Sequence, residues 1–313
     1  MTLVRWLRNC SCLASVLLAN PVSAQRIIVT PRLHAGQTLT YQIELSGSRS
    51  TKVESQVTAP QAPPSTSENA LCLLHVDVVD ASATGLLLKT YLSERNSTRA
   101  PLESSSEQDV PTPDKLVEVR IASNGTASQI RGFDKLSVVQ QYAWNTWLSR
   151  FTSVMTFPKS GVRRGQRWET SEPETSPALI TGLSWERKYE YVKQEACRPS
   201  ERDTATDKSG KIPDVHEMCA VVFVRAQLRQ KSSPKDTTPQ DYKLRGLMTR
   251  GNASGENETI LYLSVSNGLL IRSTEDVQQS MDVTVALADS SNQVRYRIAA
   301  KSRSKIELLS DAP

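Results

Sequence analysis

One stretch constrains this chain more than any other. Between Asp134 and Thr156 the apolar residues Leu136, Val139, Ala143, Trp147, Phe151 and Val154 recur every three or four positions. Ser137, Gln141, Asn145 and Ser149 hold a polar stripe at the same spacing. That periodicity predicts an amphipathic helix. Asp134 is placed to cap its start. Pro158 ends it, because proline lacks an N–H and excludes helical geometry in the residue before it. About 22 residues at ~1.5 Å each give roughly 33 Å, enough to cross a domain. The other apolar runs are short and alternating, so this helix has only strands to bury itself against. The expectation is a mainly β fold: a large curved antiparallel sheet, or half-barrel, with the helix packed on its concave face. A sheet of ten or more strands tends to curl or split, which supplies such a face.

The first 24 residues read as an export signal. Arg5 and Arg8 form a basic start, Cys12–Ala19 an apolar run, and Val22-Ser23-Ala24 a small-residue cleavage site before Gln25. The expected location is therefore periplasmic or extracellular. No later stretch approaches the ~20 apolar residues of a membrane-spanning helix. Removing Arg5 and Arg8 from the 38 basic residues leaves 36 against 33 acidic ones, a net charge of +3. That is too mild a balance to point to nucleic acid. Arg163, Arg164 and Arg167 form one basic cluster. Arg295, Arg297, Lys301, Arg303 and Lys305 form another, whose alternation reads as a solvated strand face. Contact with an anionic envelope surface is the other reading.

Beyond the signal lie Cys72, Cys197 and Cys219. Cys197 and Cys219 flank a polar loop, with strand-like runs outside both ends. In an oxidising compartment they are the expected disulfide. Cys72 then remains over, inside the alternating run Leu71–Val79, as a small buried apolar side chain.

In order, strands are expected at Thr38–Leu45, Lys52–Val57, Leu71–Val79, Gly85–Ser93, Lys115–Ile121 and Thr126–Ile130 before the helix. After it they are expected at Leu183–Glu195, Ala220–Gln230, Tyr242–Thr249, Glu258–Val265, Leu269–Glu275, Met281–Ala288, Val294–Ala300 and Lys305–Leu309. The division is thus a first β half ending in the helix (25–156) and a second (157–313), read as one continuous domain. The halves echo each other. Ser123-Asn124-Gly125 matches Ser266-Asn267-Gly268, and Gly36-Gln37 matches Gly165-Gln166. Two repeated halves is one reading of this echo; hairpin chemistry, which favours Asn-Gly anyway, is the other.

This order of features resembles exported bacterial β-rich proteins of unknown function. In them hairpins with an Asn-Gly turn lead to a helix, then to a Phe-Pro…Gly-x-x-Trp connector, here Phe157-Pro158 and Gly165–Trp168. It is also similar to the half-barrel of LolA-like lipoprotein carriers, which pack helices on a curved antiparallel sheet. The resemblance implies an apolar cavity for a lipid-like ligand. It departs from those carriers in showing one helix where they have more.

Motifs that carry chemistry are scarce. The chain has no P-loop, no dinucleotide glycine fingerprint, no His-Glu-x-x-His and no Gly-x-Ser-x-Gly. Its three histidines, His34, His75 and His216, are scattered. No catalytic residue, metal ligand or cofactor is assigned. Asn96, Asn124, Asn252 and Asn257 head sequons that matter only in a host that glycosylates. The candidates for ligand contact are the helix aromatics Tyr142, Trp144, Trp147 and Phe151, whose spacing serves a plain core equally well. The expected role is a non-enzymatic envelope protein binding an apolar or lipid-like ligand. The alternative is an assembly module that takes up a protein partner at a sheet edge.

Overall fold

A computed structural model describes residues 26–55, 65–97, 115–173, 178–198, 217–231, 236–287 and 293–312. The export signal lies outside them. The protein is mainly β. Before the helix run β1 (Thr38–Ser55), β2 (Thr66–Ser82), β3 (Gly85–Ser97), β4 (Leu116–Ala122) and β5 (Ala127–Arg131). Helix α1 spans Val138–Ser153. It is followed by β6 (Arg167–Pro173), β7 (Leu183–Ala196), β8 (Met218–Gln230), the short α2 (Gln240–Leu244), β9 (Leu247–Ser264), β10 (Leu270–Leu287) and β11 (Gln293–Ala312).

All eleven strands form one antiparallel sheet, in the order β5-β4-β3-β2-β1-β11-β10-β9-β8-β7-β6. The chain steps outward from β1 to β5, crosses by α1 to the opposite edge, and steps back inward to β11. The first and last strands therefore meet mid-sheet, with Ile43 opposite Ile306 and Lys52 opposite Arg297. The sheet is not closed, since β5 and β6 stand at its two ends.

The helix begins later than its sequence predicts. Phe133–Lys135 form a 3-10 turn, and the cap is Ser137, not Asp134. The Ser137 hydroxyl accepts from the Gln140 N–H at 3.2 Å, and the Gln140 side chain accepts from the Ser137 N–H at 3.0 Å. This reciprocal pair satisfies two N–H groups that a helix start leaves open. The helix ends in a 3-10 turn at Val154–Thr156, just before Phe157-Pro158.

Helix α1 touches strands far apart in the sheet. Trp144 Nε1 donates to Thr90 on β3 at 2.9 Å, and Arg187 on β7 donates to Ser149 at 3.5 Å. Those strands are seven places apart, about 34 Å on a flat sheet at ~4.8 Å per strand. Five residues of helix separate Trp144 from Ser149, only ~7.5 Å of rise. The sheet must bend around the helix for both contacts to exist.

The central strands are longer than the sequence indicates. The expected strand Lys52–Val57 is not separate from Thr38–Leu45: β1 runs unbroken from Thr38 to Ser55, and Gln56 and Val57 lie outside the described residues. The segments expected from Leu269 and from Met281 merge into β10, which spans Leu270–Leu287, and Val294–Ala300 and Lys305–Leu309 merge into β11. Between the β10 segments Asp276–Ser280 has neither glycine nor proline to supply a turn, and in β1 Gly47 stays in the ladder opposite Ser302. Tyr242 belongs to α2, and β9 starts only at Leu247. Eighteen residues at ~3.4 Å make β1 about 60 Å long, whereas the helix reaches across the strands, from β3 to β7, and so covers only part of their length. Burial follows that mismatch. Leu39, Tyr41, Ile43 and Leu45 are buried, and from Ser46 onward β1 has no buried residue.

An N-terminal arm closes the helix end of the molecule. Ile27 and Val162 exchange backbone hydrogen bonds at 2.9 and 2.8 Å, and the Arg32 N–H donates to Asn267 O at 2.8 Å. Gly268, at φ 70°, lies under this arm; a Cβ there would sit 2.3 Å from Thr30 O. Only glycine fits that turn.

Cys197 and Cys219 are bridged across the end of the β7–β8 hairpin, 22 residues apart in sequence. Closing a loop of that size contributes about 3 kcal/mol in the chain-entropy picture. Cys72 is free and buried, and burial pushes its thiol up to about 12. A thiol assay on the protein lacking its first 24 residues should therefore find no reactive group when folded and one after denaturation without reductant. Three after denaturation would refute the bridge.

Candidate functional site

The four helix aromatics do not share one environment. Trp144 and Trp147 are 0% exposed and Phe151 is 4% exposed. Trp147 stacks on Phe151 with ring centroids 4.9 Å apart, and it lies 6.0 Å from Tyr41 and 6.4 Å from Trp144. These rings fill the space beneath the helix against one another. Tyr142 differs, being 39% exposed, with its hydroxyl donating to Ser302 on β11 at 2.9 Å. It stands where the helix stops covering the sheet.

Beyond Tyr142 the helix-side face of the sheet continues uncovered by α1. It carries Val53 of β1, Val277 and Met281 of β10, and Tyr296, Ile298 and Ala300 of β11, all half-buried. Register places them on one face: Val53 is opposite Tyr296, and Met281 opposite Ile298. One flank is walled by a second core of Ile180, Leu183, Trp185, Ala226, Leu228 and Val283, against which Val277 and Met281 pack. A mainly apolar strip, interrupted by Arg49, Thr51 and Gln279 on the same face, thus extends along the sheet past the helix.

A polar cluster missed in the sequence lies under the other end of the helix. Arg150 of α1 pairs with Glu275 of β10, each about 95% shielded from solvent, with side-chain exposures of 6% and 5%. The Glu275 carboxylate also accepts from Asn257 of β9 and, at 3.1 Å, from Ser304 of β11. Thr259 donates to Asn257 Oδ1 at 2.8 Å. Ser149 receives Arg150 at 3.4 Å alongside Arg187. The cluster ties the helix to four strands. A buried charge is tolerated when paired and hydrogen-bonded in this way.

The opposite face of the sheet is charged. Arg303 lies across from Asp276 and Arg295 reaches Asp282 diagonally, each with a contact at 2.7 Å, and Arg225 lies 3.4 Å from Glu258. The second basic cluster is a water-facing ladder of cross-strand pairs, as its alternation implies. A strand facing lipid would present an apolar band there instead. In the first cluster, Arg167 pairs with Glu190 at 2.7 Å.

The remaining candidates stay apart. His75 Nδ1 is 3.2 Å from Thr40 Oγ1, and His34 sits in the turn before β1, its backbone N–H held by Gln37. His216 lies outside the described residues. Among the described residues no three His, Cys, Asp or Glu side chains gather as a metal site. No described helix is long and apolar enough to cross a membrane. Of the sequons, Asn257 is buried and bonded to Glu275, Asn124 accepts from the Thr126 N–H at 3.0 Å, and Asn252 is exposed.

No family model matches this chain, and no curated protein does. Matches among solved structures include three outer-membrane or channel proteins. The outer membrane protein OprG of Pseudomonas aeruginosa is 7% identical, over 89% of this chain and 97% of its own, with a TM-score of 0.17. Ail of Yersinia pestis is 5% identical, over 86% and 99%, with a TM-score of 0.11. The monoaromatic hydrocarbon channel CymD is 9% identical, over 88% and 89%, with a TM-score of 0.13. Likenesses this weak assign neither fold nor role, and none of the three is a LolA-like carrier.

Proposed function

We propose that this is an exported, non-enzymatic envelope protein that holds an apolar or lipid-like ligand on the inner face of a half-barrel. In this reading the helix plugs one end of the trough and leaves the other open. The observation that carries it is the half-buried strip of Val53, Val277, Met281, Tyr296 and Ile298, which continues the core past the last turn the helix covers. Tyr142 stands at its rim. Trp144, Trp147 and Phe151 serve as the plug. The recurrence of Gly-Gln, four strands, Ser-Asn-Gly and a fifth strand in both β1–β5 and β6–β10 fits two repeated halves, with β11 added between them.

The test pairs extraction with binding. Organic-solvent extracts of the purified protein should contain lipid by mass spectrometry, and a quenching acyl probe should dim emission from Trp185, which borders the strip. Ile298→Asp should weaken the probe at least ~10-fold, because an unpaired carboxylate in apolar contact costs more than the 1.4 kcal/mol that factor represents. Its melting temperature should stay close to that of the parent, since Ile298 is only half-buried. Absence of both lipid and quenching would end this reading.

The edge-docking alternative draws on β6, whose only partner among the described strands is β7. The opposite edge is blunted: β5 has five residues, and Gln129 at φ 51° interrupts its ladder. A partner strand would therefore add at β6, and a proline at Thr170 would weaken that association.

A further inference from the structure

On the charged face, at the end of the sheet the helix does not reach, two adjoining clefts of about 780 and 630 Å³ share Asn252 and Asp282. Together they run across β1, β11, β10 and β9. Four cations line them, Lys52, Arg250, Arg295 and Arg297, against two carboxylates, Glu54 and Asp282. Arg295 binds Asp282 through both arms, at 2.7 and 2.5 Å. Arg297 reaches Glu54 at 3.1 Å and Asp282 at 3.6 Å, and Lys52 reaches Glu54 at 3.2 Å. Three cations thus share two carboxylates. Arg250 faces no carboxylate among the described residues. Among the described residues the clefts hold two more cations than carboxylates, beside the amides of Asn252 and Gln293 and the hydroxyl of Thr284.

We infer that this double cleft binds an anionic oligosaccharide. Guanidinium groups take sulfate or carboxylate through paired N–H donors. The amides, the hydroxyl and the shared carboxylates offer the mixed donors and acceptors that sugar hydroxyls need. Other anions fit less well. No aromatic ring lines either cleft, so unstacked nucleic-acid bases have no platform. The site lies on a face whose strands are paired on both sides, so an acidic peptide finds no edge to join.

The test uses the protein without its first 24 residues on immobilised dextran sulfate, with neutral dextran as the control matrix. The parent should be retained on the sulfated matrix at ~150 mM salt, where exposed charges beyond about 8 Å are screened, and not on neutral dextran. Arg250→Ala with Arg297→Ala should bind soluble sulfated dextran oligosaccharide at least ~10-fold more weakly, the loss expected for one charged hydrogen bond. Arg225→Ala with Lys188→Ala removes equal charge elsewhere on the face and should bind as the parent does. Both pairs of side chains are exposed, and equal melting temperatures will confirm that all proteins are folded. Equal weakening by the two double variants, no retention of the parent, or displacement by single-stranded DNA or polyphosphate as effective as by the oligosaccharide would each overturn the inference.

Discussion

Glu275→Ala is expected to lower the unfolding free energy by about 3–5 kcal/mol, the cost of leaving a buried guanidinium without its counter-charge. The carboxylate accepts from Arg150, Asn257 and Ser304 together, so its removal strands donors on the helix and on two neighbouring strands. The double variant Arg150→Met, Glu275→Leu should recover most of that loss, because apolar residues of similar size replace buried pairs at little cost. Urea unfolding of the parent, Glu275→Ala, the single variants Arg150→Met and Glu275→Leu, and the double variant would measure the cycle. A loss under 1 kcal/mol for Glu275→Ala would mean water reaches the pair. A double variant no more stable than the single ones would mean the cluster sets the seating of the helix, not merely its charge balance.

Trp147→Ala should cost a similar 3–5 kcal/mol, the usual range for deleting a large buried ring. Trp147 has no solvent-exposed surface and lies between Phe151 and Tyr41. The cavity it leaves cannot collapse easily, since the helix above is held by Arg150 at one end and by Trp144 bonded to Thr90 at the other. Trp147→Phe should cost less than half as much. If the alanine variant unfolds at the same urea concentration as the parent, the helix is not what the sheet is built around.

The sequence revealed the helix because one side of it is almost wholly apolar, so its period of three to four stands out. Its start was misplaced because Asp134 and Ser137 are both good caps. The deciding feature is Gln140, three residues past Ser137, which completes a reciprocal pair that Asp134 lacks. Short strands near the helix were legible for the same reason as the helix: Leu39, Tyr41, Ile43 and Leu45 alternate against polar neighbours. Farther along β1, β10 and β11, the strands lose that contrast, since both faces are at least partly wet, and the strands read as fragments. Strand order was not legible. Turns specify which neighbours pair, but no turn joins β1 to β11. The Arg150–Glu275 cluster was hidden too. Ser273, Thr274, Glu275 and Asp276 are polar in succession, so nothing marks Glu275 as inward-facing. The disulfide was found from position alone, since its loop has a strand on either side.

The pairing of β1 with β11 bears on when the protein can fold. Thr38 is matched with Ala312, so the middle of the sheet joins residues from opposite ends of the described chain. Such distant contacts make folding slow, because loop-closure entropy is lost before any of them forms. While β11 is still missing, β1–β5 and β6–β10 can exist only as two separate stacks of hairpins, each with a raw side where its neighbour should be. A polypeptide in that state lacks the pairing at the centre of its sheet, and completes its architecture only once the last strand is available.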